Sequence, residues 1–495
     1  KKIVSPETLR NITKDKIIVH AHGVFDVFHI GHLNHLKVAK LNGEVLVVSI
    51  TSDKYVNKGP SRPLFSENLR AEFLSSLDIV DFVVINDDLT PINLIKKIKS
   101  DFYVKGNDYK QSKKDITGNI LKEKKAVESH GGKIIYTDEI EFSSSKIINQ
   151  FFQPLKIINE IKNINDVREK SIREINKLDT LKVLVLGEII FDEYNFVKEL
   201  DKPGKENIQS VLYDKNEVYI GGAYSIAKSV STFVKKVDLV CVGNFSNENQ
   251  KLMKKYTFNE KSFKLKIIKN NFHEIIKKRY VNSVNKKLFE EYILKGDNNY
   301  DDKKIFKNIK NIKEYDLVII ADFGHGLMTN SLINYVMKNS KFLCVNAQTN
   351  SENRGYNFIT KYKKANYVCI DQQEIKLALS DRFSSINNLI KKLFEKINVK
   401  LLTVTMGKEG IKISKKNGKK IQTASLSGFE VNPIDTLGAG DSVFGISSLL
   451  VKNKTEIKLI ALISNLVGAM KTKIIGHSLT IKKTDVIKAL QYTLK

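Results

Sequence analysis

Short apolar runs alternate with helix-spaced polar stretches along most of the chain. Ile17, Ile18 and Val19 form a first run that feeds a glycine-containing turn, and residues 33–39 continue with helical spacing. Residues 45–50 and 82–85 read as buried strands, and 91–98 as a helix with Pro91 near its first turn. Residues 102–104 and 133–136 add two more strands. Strand and helix in alternation predict a parallel sheet covered on both faces. That regime ends near Gln150. Residues 153–180, from Pro154 onward rich in Lys, Ile, Asn and Glu, predict a helical connector. A second α/β run opens at 183–187 and continues with strands at 237–242, 317–321, 342–345, 367–370 and 401–405. Residues 245–310 are polar and rich in Lys and Asn, which predicts edge strands and loops rather than core. The two runs do not resemble each other, so two different domains are expected, not a duplication.

Composition narrows the class. A chain of 495 residues with 42% hydrophobic and 28% charged positions is long enough for two or three domains and excludes wholesale disorder. Cys241, Cys344 and Cys369 are too few and too scattered for a disulfide scaffold or a Cys-only zinc cluster; reduced thiols and a cytoplasmic address are expected. No apolar stretch approaches the roughly 18–20 residues of a membrane span, and no signal-peptide run follows the opening residues, so no membrane association is expected. The formal net charge of +27 admits three readings: a nucleic-acid or anionic-membrane binder, an enzyme with phosphorylated substrates, or a lysine-biased solvated surface. Lysine far outnumbers arginine and runs the whole length, which favours the last. No helix-turn-helix, zinc-finger or RNA-recognition signature is present, so nucleic acid is not an expected partner.

The first chemical constellation is His20-Ala21-His22-Gly23-Val24-Phe25-Asp26-Val27-Phe28-His29-Ile30-Gly31-His32, which follows a strand and opens a helix. His29 and His32, three apart, share one face of the first helical turn. Helix N-terminal N–H groups and two imidazoles make an anion clamp that can donate to a phosphate as charge builds during displacement. Gly31 leaves room for a nucleotide against the backbone, and Gly23 relaxes the strand-to-helix turn. A metal pair is the weaker alternative, because no third His or Cys stands at ligand spacing.

This string resembles the HxGH cytidylyltransferase-like nucleotidyltransferases. Thr51-Ser52-Asp53, Lys58-Gly59-Pro60-Ser61-Arg62-Pro63, Glu67 with Arg70, Thr90-Pro91 and Val104-Lys105-Gly106-Asn107-Asp108-Tyr109 narrow the likeness to the adenylyltransferase domain of bifunctional heptose enzymes. The resemblance spans about residues 15–150. It implies a Rossmann-like domain over 1–152, with His29 and His32 catalytic. Gly23, Phe25, Asp26, Gly31, Lys58, Arg62, Arg70 and Lys105 would line the nucleotide and phosphate site. Lys58, Arg62 and Lys105 are cations in or beside turns, suited to polyphosphate oxygens. Ser143, Ser144 and Ser145 resemble the family's phosphate-binding turn; read alone, they are a helix N-cap. Asp138-Glu139 stands where glycerol-phosphate cytidylyltransferases carry Arg-Thr, which argues against glycerol.

The second constellation is Asn432-Pro433-Ile434-Asp435-Thr436-Leu437-Gly438-Ala439-Gly440-Asp441. Gly438, Ala439 and Gly440 permit a tight turn whose N–H groups converge as an anion nest at a helix start. Asp441 at the rim can take a proton from a substrate hydroxyl while the nest stabilises a transferring phosphoryl group. The string resembles the ribokinase-like (PfkB-type) carbohydrate kinases, over about 181–495 after a linker at 153–180. That likeness implies a ribokinase-like α/β/α fold with Asp192, Gly221, Gly222 and Arg279 on the sugar side. Thr405, Gly407, Gly410 and Asn465 fall on the nucleotide side, and Asp371 and Glu374 in the magnesium–phosphate network. Departures are Ser225, Glu188, Asn346-Ala347-Gln348 and Asp371; those on the sugar side leave the substrate open, and they admit a kinase drifted into a binding module.

Together the resemblances imply a bifunctional enzyme of nucleotide-sugar synthesis. It would use ATP and Mg2+ for phosphorylation of a sugar or sugar phosphate, and ATP or CTP for nucleotidyl transfer to a sugar 1-phosphate. In the heptose enzymes the kinase domain comes first; here the order is reversed. The alternative is a CTP-dependent enzyme making a CDP-polyol or CDP-sugar, with a related or degenerate kinase-like domain. Partners are expected to be small molecules, with self-association to a homo-oligomer implied by likeness alone.

Overall fold

The structure is a computed structural model that describes all residues except 1, 60–61, 107–118, 138–155, 162–163, 165, 202–207, 258–260, 297–300, 430–432 and 495. Two units form: Lys1–Leu155 with Ile487–Lys495, and Lys156–Val486.

In the first unit the predicted strands form a five-stranded parallel sheet. They are β1 (Ile18–Gly23), β2 (Val45–Thr51), β3 (Phe82–Asn86), β4 (Phe102–Gly106) and β5 (Lys133–Thr137), in the order β3-β2-β1-β4-β5. Successive strand residues point to opposite faces, and both faces are buried. Val19, Ala21, Leu46, Val48 and Ile50 pack on one side with Leu36 and Leu74; Ile18, Val45 and Val47 pack on the other with Leu9, Leu94 and Ile98. The connection reverses direction beside β1, whose neighbours are β2 and β4. A crevice at the carboxyl ends of these strands is the usual ligand position in such sheets, and the histidine-rich turn leaves β1 there.

The second unit opens with helices Lys156–Ile161 and Val167–Asn176, the stretch expected as a connector. Glu160 accepts from the Ser427 N–H and hydroxyl (2.8 and 2.6 Å), and Glu174 from Asn453 and Thr455 (3.1 and 2.8 Å). These bonds tie the stretch to the second unit rather than leaving it a free linker. The strands that follow are β6 (Lys182–Gly187), β7 (Ile189–Glu199), β8 (Val211–Gly222), β9 (Lys236–Val242), β10 (Phe263–Ile268), β11 (Glu274–Val281) and β12 (Lys287–Lys295). After them come β13 (Leu317–Asp322), β14 (Leu343–Ala347), β15 (Lys364–Asp371), β16 (Asn398–Thr405), β17 (Ile411–Asn417) and β18 (Lys420–Leu426). One nine-stranded sheet runs β10-β9-β6-β13-β14-β15-β16-β17-β18, parallel through β16 and antiparallel at the last two. A separate four-stranded sheet runs β12-β11-β7-β8.

The polar segment 245–310 supplies the edge strands β10 and β12, as its composition predicts, but β11 lies inside the four-stranded sheet and is largely buried. Its charges defeat the hydropathy reading because they are paired: Arg279 across the sheet with Asp192 and Glu290, and Glu274 with Ser246 and Asn249 at the start of a neighbouring helix. The three cysteines lie buried and unpaired in β9, β14 and β15. Among the described residues, no helix is long and apolar enough to cross a membrane.

Glu188, between β6 and β7, stands where the sequence suggested a change on the sugar side. Its carboxylate instead accepts the backbone N–H groups of Phe323, His325 and Leu327 at 2.6, 3.0 and 3.2 Å, anchoring the loop that leaves β13. A buried donor left without an acceptor costs about 1–3 kcal/mol. Glu188→Ala is therefore expected to lower the stability of the second unit by roughly 3 kcal/mol or more, with Glu188→Gln losing less. Urea unfolding checks this; an unchanged midpoint for Glu188→Ala would remove the anchor.

Candidate active sites

In the first unit, His29 caps the helix Ile30–Lys40 with extended backbone, and Gly31 is buried in the first turn. The His29 Nδ1 accepts a long bond (3.4 Å) from the His32 N–H, which places the ring proton of a neutral His29 on Nε2. The two imidazoles stack, centroids 3.9 Å apart and planes 13° apart, and Phe25 meets His32 edge-on at 5.2 Å. Burial, then the neighbouring His29 and Lys58, pushes His32 down to about 3, so it is neutral near pH 7. Lys58 also lies 5.5 Å from the centre of the Tyr492 ring, within the same unit. The structure thus joins Phe25, His29 and His32 at a helix N-terminus, beyond the Gly23 that ends β1.

The other expected phosphate ligands are engaged by protein acceptors. Asp26 accepts from the Leu64 and Phe65 N–H groups (2.7 and 3.0 Å) and lies 3.6 Å from the buried Arg62 guanidinium. Arg70, 2% exposed, donates to the carbonyls of Phe65, Val24 and Thr51 and to Asp53. It thereby ties three segments together around the strand ends. Lys105 is buried, 2.9 Å from Glu123. A buried cation must find a partner, and here the fold supplies one. Ser143, Ser144 and Ser145 lie outside the described residues. One network the motif did not signal is buried beneath the site: Ser49 Oγ bridges His20 Nε2 (2.7 Å) and His22 Nδ1 (2.8 Å).

In the second unit, Gly438 has φ +71° and leads into the helix Ala439–Lys452. A Cβ there would lie 2.7 Å from His477, so only glycine fits the turn. Asp441 sits in the first helical turn, buried, with no hydrogen bond to its carboxylate among the described residues. Burial, then the nearby Asp192 charge, pushes it up to about 7, against Lys471 and Lys277. From the four-stranded sheet, Asp192 pairs with Arg279, and the His477 ring lies 3.5 Å from its other oxygen. Gly221 approaches so closely that a Cβ would stand 2.2 Å from Asp192 Oδ2. Gly222 ends β8 beside it.

Three residues missed in the sequence complete this site. Lys277 and Lys471 are 6% and 4% exposed, and no carboxylate pairs with either ammonium within salt-bridge distance among the described residues. Lys277 faces the Tyr292 ring at 4.7 Å, and Lys471 donates to the Gly476 carbonyl. Burial lowers both, Lys471 to about 8. His477 is the third. A cavity of about 140 Å³ is lined by Lys471, His477 and Ser442 with Tyr219, Tyr224 and Ser225. Isolated lysines and histidines in a lysine-rich chain carry no sequence signal; burial alone marks them.

On the nucleotide side, Thr405 ends β16 and residues Gly407–Glu409 form a tight turn closed by the Met406 N–H to the Gly410 carbonyl (2.9 Å). Asn465 donates to the Ser427 carbonyl (2.7 Å), and Gly410 packs against residues 426–428, so these residues gather at the end of β18. Asp371 and Glu374 form a capping box: Glu374 accepts the Asp371 and Thr349 N–H groups (2.7 and 3.0 Å), and Asp371 accepts those of Gln373 and Glu374 (both 2.7 Å). No cluster of three or more acidic, His or Cys groups able to hold a metal occurs among the described residues. A carboxylate already serving as a cap fits Mg2+ held mainly by nucleotide phosphates and water, not an all-protein cage.

Fold and sites define a two-domain α/β protein with a Rossmann-like nucleotidyltransferase fold and a ribokinase-like fold. The chain belongs to the pfkB family of carbohydrate kinases, whose profile matches residues 180–470; residues 20–150 match the cytidylyltransferase-like family. The chain is 39% identical over 153 residues to the bifunctional protein HldE of Campylobacter fetus, covering 30% of this chain and 31% of that one. It is 42% identical over 154 residues to the HldE of Campylobacter jejuni strain RM1221, again 30% and 31%. The chain thus spans about a third of the length of these relatives. Among solved structures, ribokinase from Thermotoga maritima matches with a TM-score of 0.50 at 17% identity, over 63% of this chain and 99% of that one. Phosphofructokinase-2 from Escherichia coli matches at 0.51 and 13%, over 64% and 100%.

Gly221→Ala forces Asp192 away from its place. A loss of about 1–3 kcal/mol in unfolding free energy is expected, as for overpacked cores, with weaker binding of a sugar acceptor in calorimetry. Wild-type values for both would show that Asp192 is free to move.

Proposed function

We propose that the chain is a bifunctional enzyme of nucleotide-sugar synthesis. The second unit phosphorylates a sugar or sugar phosphate of heptose type with ATP. The first transfers a nucleotidyl group from an NTP to a sugar 1-phosphate and releases pyrophosphate. One observation carries the kinase reading: a buried carboxylate, with no hydrogen-bond partner among the described residues, stands at a glycine-containing helix start within the field of two buried ammonium groups, Lys277 and Lys471. The likeness to bifunctional HldE proteins supports the pairing of activities.

In the kinase step, the acceptor hydroxyl gives its proton to Asp441, its oxygen attacks the γ-phosphorus, and ADP leaves. The nest N–H groups of residues 438–441 and the ammonium groups of Lys277 and Lys471 meet the charge on the phosphoryl oxygens. Asp192 and Arg279 orient the acceptor. When bound, Mg2+ would neutralise nucleotide phosphate charge, held through water by Asp371 and Glu374. In the transferase step, a sugar-phosphate oxygen attacks the α-phosphorus. Nε2–H of His29, the His32 ring and the helix N-terminus stabilise the developing charge, with Lys58 close by.

The double variant His29→Ala/His32→Ala is expected to abolish pyrophosphate release while ATP-dependent phosphorylation persists. Asp441→Asn is expected to do the reverse, with phosphorylation falling about 100-fold or more. Loss of both activities in either folded variant would overturn the division of labour. Pyrophosphate release across four NTPs with a panel of sugar 1-phosphates identifies the base; turnover of CTP with ATP inert would make the product a CDP-sugar or CDP-polyol.

The kinase pH profile has a defined sign. Asp441 acts as base only when ionised, so kcat/KM should rise with pH through about 7. Lys471 helps only when charged, so kcat/KM should fall above about 8. A flat profile between pH 6 and 9 would exclude both roles.

A further inference from the structure

Asp435 lies three residues before Gly438 and takes no part in the chemistry above. Its buried carboxylate gathers donors from separate segments. Oδ1 accepts from Lys287 Nζ (2.7 Å) and the Leu437 N–H (3.0 Å); Oδ2 accepts from the Tyr194 hydroxyl (2.5 Å) and the Gly476 N–H (2.8 Å). The N–H groups of Ile434 and Asp435 both reach the Thr472 carbonyl (2.8 and 3.0 Å). Tyr194 comes from β7 and Lys287 from β12, so two strands of the acceptor-side sheet meet the nest loop at this one carboxylate. Gly476 precedes His477, which faces both Asp192 and Gly438. Burial pushes Asp435 up, yet the bonds from Lys287, Tyr194, Gly476 and Leu437 hold it well below the usual carboxylate range. Three of those four donors are neutral. Lys287, half-exposed, is the one cation among them.

We propose that Lys287 is a tethered counter-ion and positioning residue: its ammonium neutralises Asp435 and so fixes the nest loop relative to the sheet that carries Asp192, Lys277 and Arg279. This rests on the kinase reading of that site. A counter-ion on an edge strand has a chemical signature. Truncating it leaves a buried anion beside an opening that a small free cation fills.

The test uses the full chain and its Lys287→Ala, Lys287→Arg and Lys287→Met variants. Two readouts are followed: hydrogen exchange at the Leu437 and Gly476 amides, and phosphorylation of heptose 7-phosphate by ATP. In Lys287→Ala, exchange at both amides is expected to quicken 10-fold or more, and kcat to fall 10- to 100-fold with little change in the KM for ATP. Added methylammonium or ammonium should restore both readouts saturably. Lys287→Arg should keep most function, and Lys287→Met, which fills the opening, should resist rescue. Wild-type exchange and kcat in Lys287→Ala would overturn the proposal. So would a loss that no small cation reverses, or rescue of Lys287→Met equal to that of Lys287→Ala. Failure of the kinase reading is separate: it appears as full activity in Asp441→Asn, and the exchange readout does not depend on it.

Discussion

A buried carboxylate must be compensated, and the second unit is organised by how each of its own is met. Glu188 takes three backbone N–H groups, Glu374 takes two, and Asp322 takes the Tyr362 hydroxyl and the Lys361 ammonium. Asp192 takes Arg279, and Asp435 takes four donors. The Asp192–Arg279 pair ties two strands together and the others tie a loop to a neighbouring segment, so satisfying the charge also fixes the architecture. Asp441 alone in this set lacks a hydrogen-bond donor among the described residues. The contrast suits it to the base role proposed above: burial and the Asp192 charge raise its affinity for a proton, and no hydrogen-bond donor among the described residues offsets them.

The first unit solves the complementary problem for cations. Arg70 and Lys105 are buried and bonded to carbonyls and carboxylates of the fold, and the buried Arg62 lies 3.6 Å from Asp26. Their work is to hold strand ends and loops where the histidine turn needs them. On the proposed reading, the groups that meet a ligand there are imidazoles, Lys58 and backbone N–H groups at a helix start, and both units use helix N-termini as anion sites.

The buried parallel strands of the five- and nine-stranded sheets were legible because such strands are continuous apolar runs bounded by turn residues. The two glycine-containing turns were legible because their spacing is constrained atom by atom. The interior strand β11 was not, since Glu274, Lys277, Lys278 and Arg279 read as surface until their cross-strand partners are known. Lys277, Lys471, His477 and Asp435 were hidden for a related reason: their roles arise from contacts between segments far apart in sequence. Arg70 and Lys105, expected at the phosphate site, are bonded within the fold, which spacing alone does not show. The charge of +27 misled least once lysine was seen to be spread along the whole chain.

The stacked His29 and His32 rings have one more consequence. A neutral His32 with its pKa near 3 is a weak host for a proton only while no anion is nearby. On the transferase reading, a polyphosphate laid against it would favour the imidazolium and raise that value. Nucleotide binding would then be linked to proton uptake, and affinity for the triphosphate would decline as the medium becomes more alkaline. Acidity and nucleotide would be coupled ligands of one helix terminus.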